Sequence, residues 1–502
     1  MNGTAPETDR AWTVGTAPGI FPFIGHGIAL FRRPLAFLNS LPDHGDLVEL
    51  RLGPLRAWMA CHPELVHHLL MDTRTFDKGG PLYDRLRPLM GNGLVTCRHD
   101  GYRRQRRLLQ PDFRASRVAE HTALMSREAR STAQGWRAGA QVDVSAEMLA
   151  LTTRVISHVL FSDSLDRATA AEVRDCLSII VRGLFVRTAV PVDALFRAPT
   201  PANRRYRRAV ERVHAIVDAV VAERRRNRRT DPHRGEGEDL NDLLGILLAA
   251  TRPDPGTPTA AISDQEVHDQ LVTFLLTGAE SNALCLTSAF DLLARHPQAE
   301  RRLHDEVDAV LGGRLPGPED LPRLTYTRCV VTETLRHRPP GWLFMRLTTK
   351  DTVLAGRRLP AGTTVLYSPY LLQHDPASFP DPDRFLPDRW LPDQAAAVPQ
   401  RAMIPFSAGG RKCIGDRFAV AEATVALATI AGRWRLRHRP GHTEQLRPAA
   451  TLGPRSLVMT CEPRAQAPSG AASPARSFTE RATAARHGQD SRTAGGSGVD
   501  DA

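Results

Sequence analysis

The sequence predicts a mainly α fold with a small β region, on three observations. Apolar residues recur at helical spacing along most of the chain. A capping box, Ser263-Asp264-Gln265-Glu266, opens one long helical run. Short alternating runs bounded by glycine and proline read as strands. With 502 residues, 42% hydrophobic and 24% charged, the composition is that of a globular protein. Length alone suggests two or three domains and leaves one large domain open.

Taken in order, residues 1–16 read as a flexible lead-in, with no apolar run to serve as signal peptide or membrane anchor. Residues 47–60 alternate and turn at Gly53-Pro54, a hairpin, and 62–70 read as a helix. Residues 76–97, with Lys78-Gly79-Gly80-Pro81 and Gly91-Asn92-Gly93, read as a mobile loop with short helical pieces, of the kind that carries specificity. Residues 102–109 form a basic helix whose Tyr102 and Arg106 share one face. Helical spacing continues over 118–136, 142–160 and much of 169–195, where Phe185, Val190 and Pro191 suggest an apolar turn. A long basic helix at 204–229 follows, then polar breaks at 231–239 and 252–259.

The capped run from Asp264 to Ala294 would span roughly 46 Å at ~1.5 Å per residue. Its centre, Thr277-Gly278-Ala279-Glu280-Ser281-Asn282, interrupts the apolar pattern. Such polar groups are either back-bonded to the helix or functional. Helices at 297–311 and 326–338 come next, the second carrying Glu333-Thr334-Leu335-Arg336. Residues 342–347, 352–354 and 363–368 read as strands, 418–430 as a helix and 446–458 as a terminal hairpin whose 450–453 turn would reach a pocket. Residues 463–502 are too poor in apolar residues to order and read as a disordered tail.

The net charge is +11, and lysine occurs only at Lys78, Lys350 and Lys412, so arginine supplies nearly all the positive charge. A basic surface attracts nucleic acid, anionic membrane or an acidic protein. No nucleic-acid motif accompanies it, which favours the protein partner and no nucleic acid. Seven scattered cysteines without a C-x-x-C pair fit a reducing cytoplasm rather than a disulfide framework.

One of those cysteines stands in Phe406-Ser407-Ala408-Gly409-Gly410-Arg411-Lys412-Cys413-Ile414-Gly415. By itself Cys413 is a core filler, a nucleophile or a ligand. Gly409 and Gly415 would allow a tight loop, Arg411 can meet an anion, and the helix beginning nearby would favour a thiolate. The run fits F-x-x-G-x-R-x-C-x-G and resembles the haem-binding loop of the cytochrome P450 family. Three further motifs stand in that family's order: the Gly278–Ser281 segment, the E-x-x-R helix and an arginine segment around Pro387-Asp388-Arg389-Trp390.

The resemblance implies one haem-thiolate monooxygenase domain over residues 17–462, binding haem b with Cys413 as axial ligand to the iron. Phe406, Gly278 and Gly415 would border the haem, and Arg411, Arg106, Tyr102 and Arg346 would meet its propionates. Glu333, Arg336 and Arg389 would form the charge network beneath the loop, with Arg384 as the alternative third member. Glu280, Ser281 and Thr277 would belong to the oxygen-activation motif, the first two delivering protons. Ser281 stands where threonine is usual. The reaction implied is monooxygenation with O2, drawing electrons from NAD(P)H through a separate ferredoxin and reductase, by a cytoplasmic monomer. Arg411, Lys412 and Arg417 are candidates for the ferredoxin-docking face. Pocket candidates are Leu82, Leu94, Phe274, Ala279, Trp342, Leu343, Phe344 and Leu452. The 76–82 and 91–96 runs resemble those of bacterial terpene-oxidising members, implying a hydrophobic terpenoid of secondary metabolism. The alternatives are a polyketide or fatty-acid substrate, or a haem-thiolate protein that binds ligands without oxygenating them.

Overall fold

Ser263 caps the long helix in the manner its sequence requires. Its hydroxyl accepts from Glu266 N at 3.1 Å, and Glu266 Oε2 accepts from Ser263 N at 2.9 Å. The helix runs Asp264–Arg295, 32 residues, and every residue from Asp269 to Leu293 is buried except Thr277, Gly278, Glu280, Ser281 and Leu284. In this computed structural model the described residues are 11–189, 193–230, 242–251, 261–441, 446–454 and 456–464, all within one compact unit, Met1–Ala465. The expected tail and both polar breaks lie almost entirely outside the described residues.

The fold is mainly α with small sheets, as the periodicity predicts. The long helix packs against helices Val144–Phe161, Thr325–His337 and Asp416–Ala431 around Val155, Leu286, Phe290, Val331 and Leu427. Val144–Phe161 has the length and apolarity of a membrane span, yet Met148, Leu151 and Val155 are fully enclosed in this core. A six-stranded sheet runs in the order Val14–Thr16, Leu47–Leu52, Leu55–Ala60, Thr364–Tyr367, Phe344–Thr348 and Phe76–Asp77. The expected hairpin is there, with Leu52 opposite Leu55.

One expectation needs correction. The lead-in does not extend to residue 16: Val14–Thr16 pairs parallel with Leu47–Glu49, and Thr13 N and Oγ1 donate to Asp46 Oδ2 at 2.9 and 2.8 Å. The helical piece expected within 76–97 is a ten-residue helix, Pro81–Met90, in which Pro81 takes a first-turn position where proline's missing N–H costs nothing. The segment's glycines then allow close docking on the long helix. A Cβ at Gly91 would lie 2.1 Å from the Asp269 carboxylate, while Asn92 N donates to Asp269 Oδ2 at 2.7 Å and Leu94 N to Gln270 Oε1 at 3.1 Å.

Arg336, fully buried, fastens helix Thr325–His337 to the short helix Pro369–Gln373 and the turns after it. Its Nε and Nη2 donate to Glu333 at 2.9 and 2.8 Å, and its Nη1 donates to the carbonyls of Gln373 and Pro382, both at 2.8 Å. Glu333 also accepts from Leu386 N at 2.9 Å and Trp390 Nε1 at 2.8 Å. The third member is Arg389: its Nε lies 3.5 Å from Glu333 Oε1, a Coulombic contact too long to satisfy that N–H. Arg384 is exposed and reaches Asp381 instead, contributing only its carbonyl to Arg336. Gln373 carries the link forward, its side-chain oxygen accepting from Ile404 N at 3.2 Å, two residues before the cysteine loop. Glu333→Ala would strand the Arg336 charge; denaturant unfolding is expected to show a loss of about 3–5 kcal/mol, and a loss below about 1 kcal/mol would contradict the brace.

Candidate functional site

The cysteine loop is shaped by two backbone constraints. Gly409 adopts φ +67°, and a Cβ there would lie 2.2 Å from the Leu70 carbonyl oxygen at the end of helix Pro63–Met71, so only glycine fits. Cys413 N then donates to the Phe406 carbonyl at 2.9 Å, closing the loop just before helix Asp416–Ala431. Gly415 proves less constrained than the sequence suggests: its φ is −94° and the nearest neighbour to a Cβ would be the Phe113 ring at 3.8 Å.

Six cysteines are buried, and Cys413 alone is exposed. Desolvation is nevertheless the largest influence on its thiol and pushes the pKa up. The Gly415 backbone N–H favours the thiolate, as do Lys78 and Arg106, while Asp416 opposes it. The helix terminus helps the thiolate but does not outweigh burial.

Opposing expectations meet on the long helix. Thr277 and Ser281 hydroxyls donate back to the carbonyls of Thr273 (2.8 Å) and Thr277 (3.1 Å), the helix-satisfied arrangement. Glu280 behaves differently. Burial raises its carboxyl to about 7, against the opposing effect of a Thr451 hydroxyl that donates to Oε1 at 3.0 Å. Gly278 does not serve a ligand through its missing side chain: a Cβ there would meet Ile156 of helix Val144–Phe161 at 2.9 Å, so the glycine admits that helix.

A cluster of cations surrounds the space near the loop. Arg411 is buried, donating from Nη2 to Asp77 at 2.5 Å and from Nη1 to the Cys97 carbonyl at 3.0 Å, with its guanidinium 4.0 Å over the Tyr102 ring. Arg346 is fully buried and donates to Tyr83 Oη at 3.4 Å. The Nε of each lacks a partner. Tyr102 and Arg106 do share a face, joined at 2.8 Å, and Arg106 also meets the Lys412 carbonyl. Sequence reasoning missed Lys78. Burial, then Arg346 and Arg411, pull its amine down to about 7, and no described side chain pairs with it. Arg346 and Arg411 against Asp77 leave one positive charge over, and Lys78 adds a second when protonated, which the arrival of an anion would favour; that fits a dicarboxylate such as the two propionates of haem. The donor set fits too: among the described residues no three His, Cys, Asp or Glu side chains gather as metal ligands, so an iron here would rely on one thiolate and a macrocycle of its own.

Of the pocket candidates, Leu82, Leu343 and Phe344 keep accessible surface. Ala279 and Leu452 have none and are withdrawn from the wall, both being taken into core packing. Leu94, Phe274 and Trp342 are also buried; Phe274 stacks on Phe113 with ring centroids 5.3 Å apart, and Trp342 Nε1 donates to the Ala449 carbonyl at 3.0 Å. Buried Arg411 is likewise withdrawn from the docking face. Outside the loop a groove of about 640 Å³ is lined by Arg74, Arg103, Arg107, Arg114 and Gly410.

The chain matches the family described as Cytochrome P450 over residues 17–463. It is 49% identical to cyclooctat-9-en-7-ol 5-monooxygenase of Streptomyces melanosporofaciens, covering 91% of this chain and 96% of that protein. It is 47% identical to cyclooctatin synthase of the same organism (92% and 99%) and 42% identical to pentalenene oxygenase of Streptomyces avermitilis (91% and 97%). The crystal structure of the cytochrome P450DA heme domain superposes with a TM-score of 0.79 at 26% identity, covering 91% of this chain and 99% of that one.

If Gly278 admits Ile156, Gly278→Ala should lower stability by about 1–3 kcal/mol in thermal unfolding, and Ile156→Val should recover part of the loss. Equal losses with and without the Ile156 change would assign the glycine another role.

Proposed function

Because the chain belongs to the cytochrome P450 family and is a monooxygenase of that family, we propose that it inserts one oxygen atom from O2 into a polycyclic terpenoid of bacterial secondary metabolism. Similarity over nearly its whole length to cyclooctat-9-en-7-ol 5-monooxygenase, cyclooctatin synthase and pentalenene oxygenase supports this reading. The observation that carries the chemistry is the accessible Cys413 thiol beside the Lys78, Arg346 and Arg411 cations.

Haem, held by the Cys413 thiolate, would supply oxygen activation and C–H oxidation. Lys78, Arg346, Arg411 and Arg106 with Tyr102 would hold its carboxylates, and Phe406 closes the loop beside the sulfur through its carbonyl. Glu280 stays protonated below about pH 7 and ionises above it, so its carboxyl gives and regains a proton near neutral pH. Ser281, one residue on and exposed on the same stretch of helix, offers a hydroxyl that can pass that proton. Leu82, Leu343 and Phe344 offer apolar surface to the substrate.

Electrons come from NAD(P)H through a separate ferredoxin and its reductase, to a monomer in the cytoplasm. Exposed Arg74, Arg103, Arg107 and Arg114, with Lys412 and Arg417 beside the loop, form the face that steers an acidic ferredoxin.

Supplied with cyclooctat-9-en-7-ol, NAD(P)H and a ferredoxin system, the protein is expected to release a product carrying one added oxygen, and Cys413→Ala to lose both product and the thiolate-type absorption of the reduced, carbon-monoxide-bound protein. Retention of that absorption in Cys413→Ala would end the reading of the loop. Glu280→Gln should lower product formed per NAD(P)H oxidised by about tenfold or more and flatten its pH dependence near 7. The double substitution Arg103→Glu and Arg107→Glu should raise the KM for ferredoxin about tenfold and reduce its salt dependence; an unchanged KM would place docking elsewhere.

A further inference from the structure

Glu280 is held by a residue that lies outside every motif. Thr451 sits in the turn between strands Leu446–Pro448 and Leu452–Pro454 and donates its hydroxyl to Glu280 Oε1 at 3.0 Å. The turn is fixed from its other side as well. Trp342 Nε1 donates to the Ala449 carbonyl at 3.0 Å, and Leu452 N donates to the Pro340 carbonyl at 2.9 Å. On the helix side Gly453 lies so near Leu284 that a Cβ would come within 2.7 Å of Leu284 Cδ2. The turn is therefore wedged between the long helix and the segment that leads into strand Phe344–Thr348.

We propose that Thr451 is the positioning residue of the Glu280 carboxyl, and that the 449–451 turn transmits the setting of the 340–344 segment to it. The proposal rests on the reading of Glu280 as a proton carrier. A threonine hydroxyl rotates, so it donates to the ionised carboxylate and accepts from the protonated acid, following Glu280 through both states. Among the described residues no other group competes for this role. Burial and the Thr451 hydrogen bond are the two influences on Glu280, and no charged side chain among the described residues adds to them. Ser281 and Thr277, the nearest hydroxyls along the helix, donate to helix carbonyls instead. Glu280, Thr451 and Leu284 each keep accessible surface, so the bond lies at the edge of the accessible stripe, and Leu343 and Phe344 bring accessible surface to the segment at the turn's other side. A shift in that segment moves the Ala449 anchor, and with it the hydroxyl that aims the acid.

The test follows the Glu280 carboxyl band by difference infrared spectroscopy of the haem-loaded protein, the band being identified by its loss in Glu280→Gln. Thr451→Val is expected to move its titration midpoint up by about one pH unit, because the lost hydrogen bond favours the ionised form. Thr451→Ser, which keeps the hydroxyl, should hold the midpoint within about 0.3 unit of the parent. Trp342→Phe, which releases Ala449, should move it in the same direction by a smaller amount. An unmoved midpoint in Thr451→Val overturns the assignment of Thr451, and one in Trp342→Phe overturns transmission through the turn. Product yield in Glu280→Gln answers the separate question of proton carriage, so either reading can fail while the other stands.

Discussion

A guanidinium removed from water has to find a partner for each of its donors, and Arg336 meets that requirement by drawing distant backbone together. Glu333 neutralises it within one helical turn, but the remaining donors reach Gln373, Pro382 and Arg384. Those residues lie between the helix and the cysteine loop, and Gln373 passes the constraint on to Ile404. Desolvating two charges offsets most of the attraction between them. What the pair secures is position: the chain entering Phe406 has few places to be.

The loop itself obeys a different constraint. Gly409 lies against the Leu70 carbonyl and Cys413 N against the Phe406 carbonyl, so the sulfur is delivered by backbone contacts rather than by side-chain packing. Its surroundings are then asymmetric. Cations approach from the 76–80 segment, the Tyr102 helix and strand Phe344–Thr348, whereas the long helix presents a nearly charge-free stripe containing the Glu280 carboxyl. Positive charge gathers at one edge and a titratable acid stands alone at another, which keeps the acid's affinity for protons under the control of burial and a single hydroxyl.

Much of this was legible in the chain. The long helix announced itself through Ser263 and Glu266, the E-x-x-R pair through its spacing, and the cysteine loop through its fixed residues, because each is a local pattern with a local physical cause. The misreadings share a different cause. Gly278 looked like a ligand's approach, but which neighbour occupies the space of a missing Cβ is a tertiary fact, and that neighbour is Ile156. Within 76–97 only short helical pieces were legible, because Pro81 begins a ten-residue helix with the same residue that elsewhere ends one. Ala279, Leu452 and Arg411 were assigned to surfaces from which packing removes them. Lys78 and Thr451 were invisible in these roles because the groups they meet lie far away in sequence, 171 positions for Thr451 and Glu280, on elements whose meeting no local pattern encodes.

The scarcity of lysine gives the molecule an unusual chemical address system. Of its three side-chain amines, Lys78 is enclosed among guanidiniums, and Lys350 and Lys412 are exposed. Lys412 immediately precedes Cys413. A reagent selective for primary amines would therefore leave the arginine side chains unmodified and attach at a few places, one of them the rim of the cysteine loop; with Lys350→Arg, a dye or crosslinker on Lys412 reports on whatever protein approaches that face.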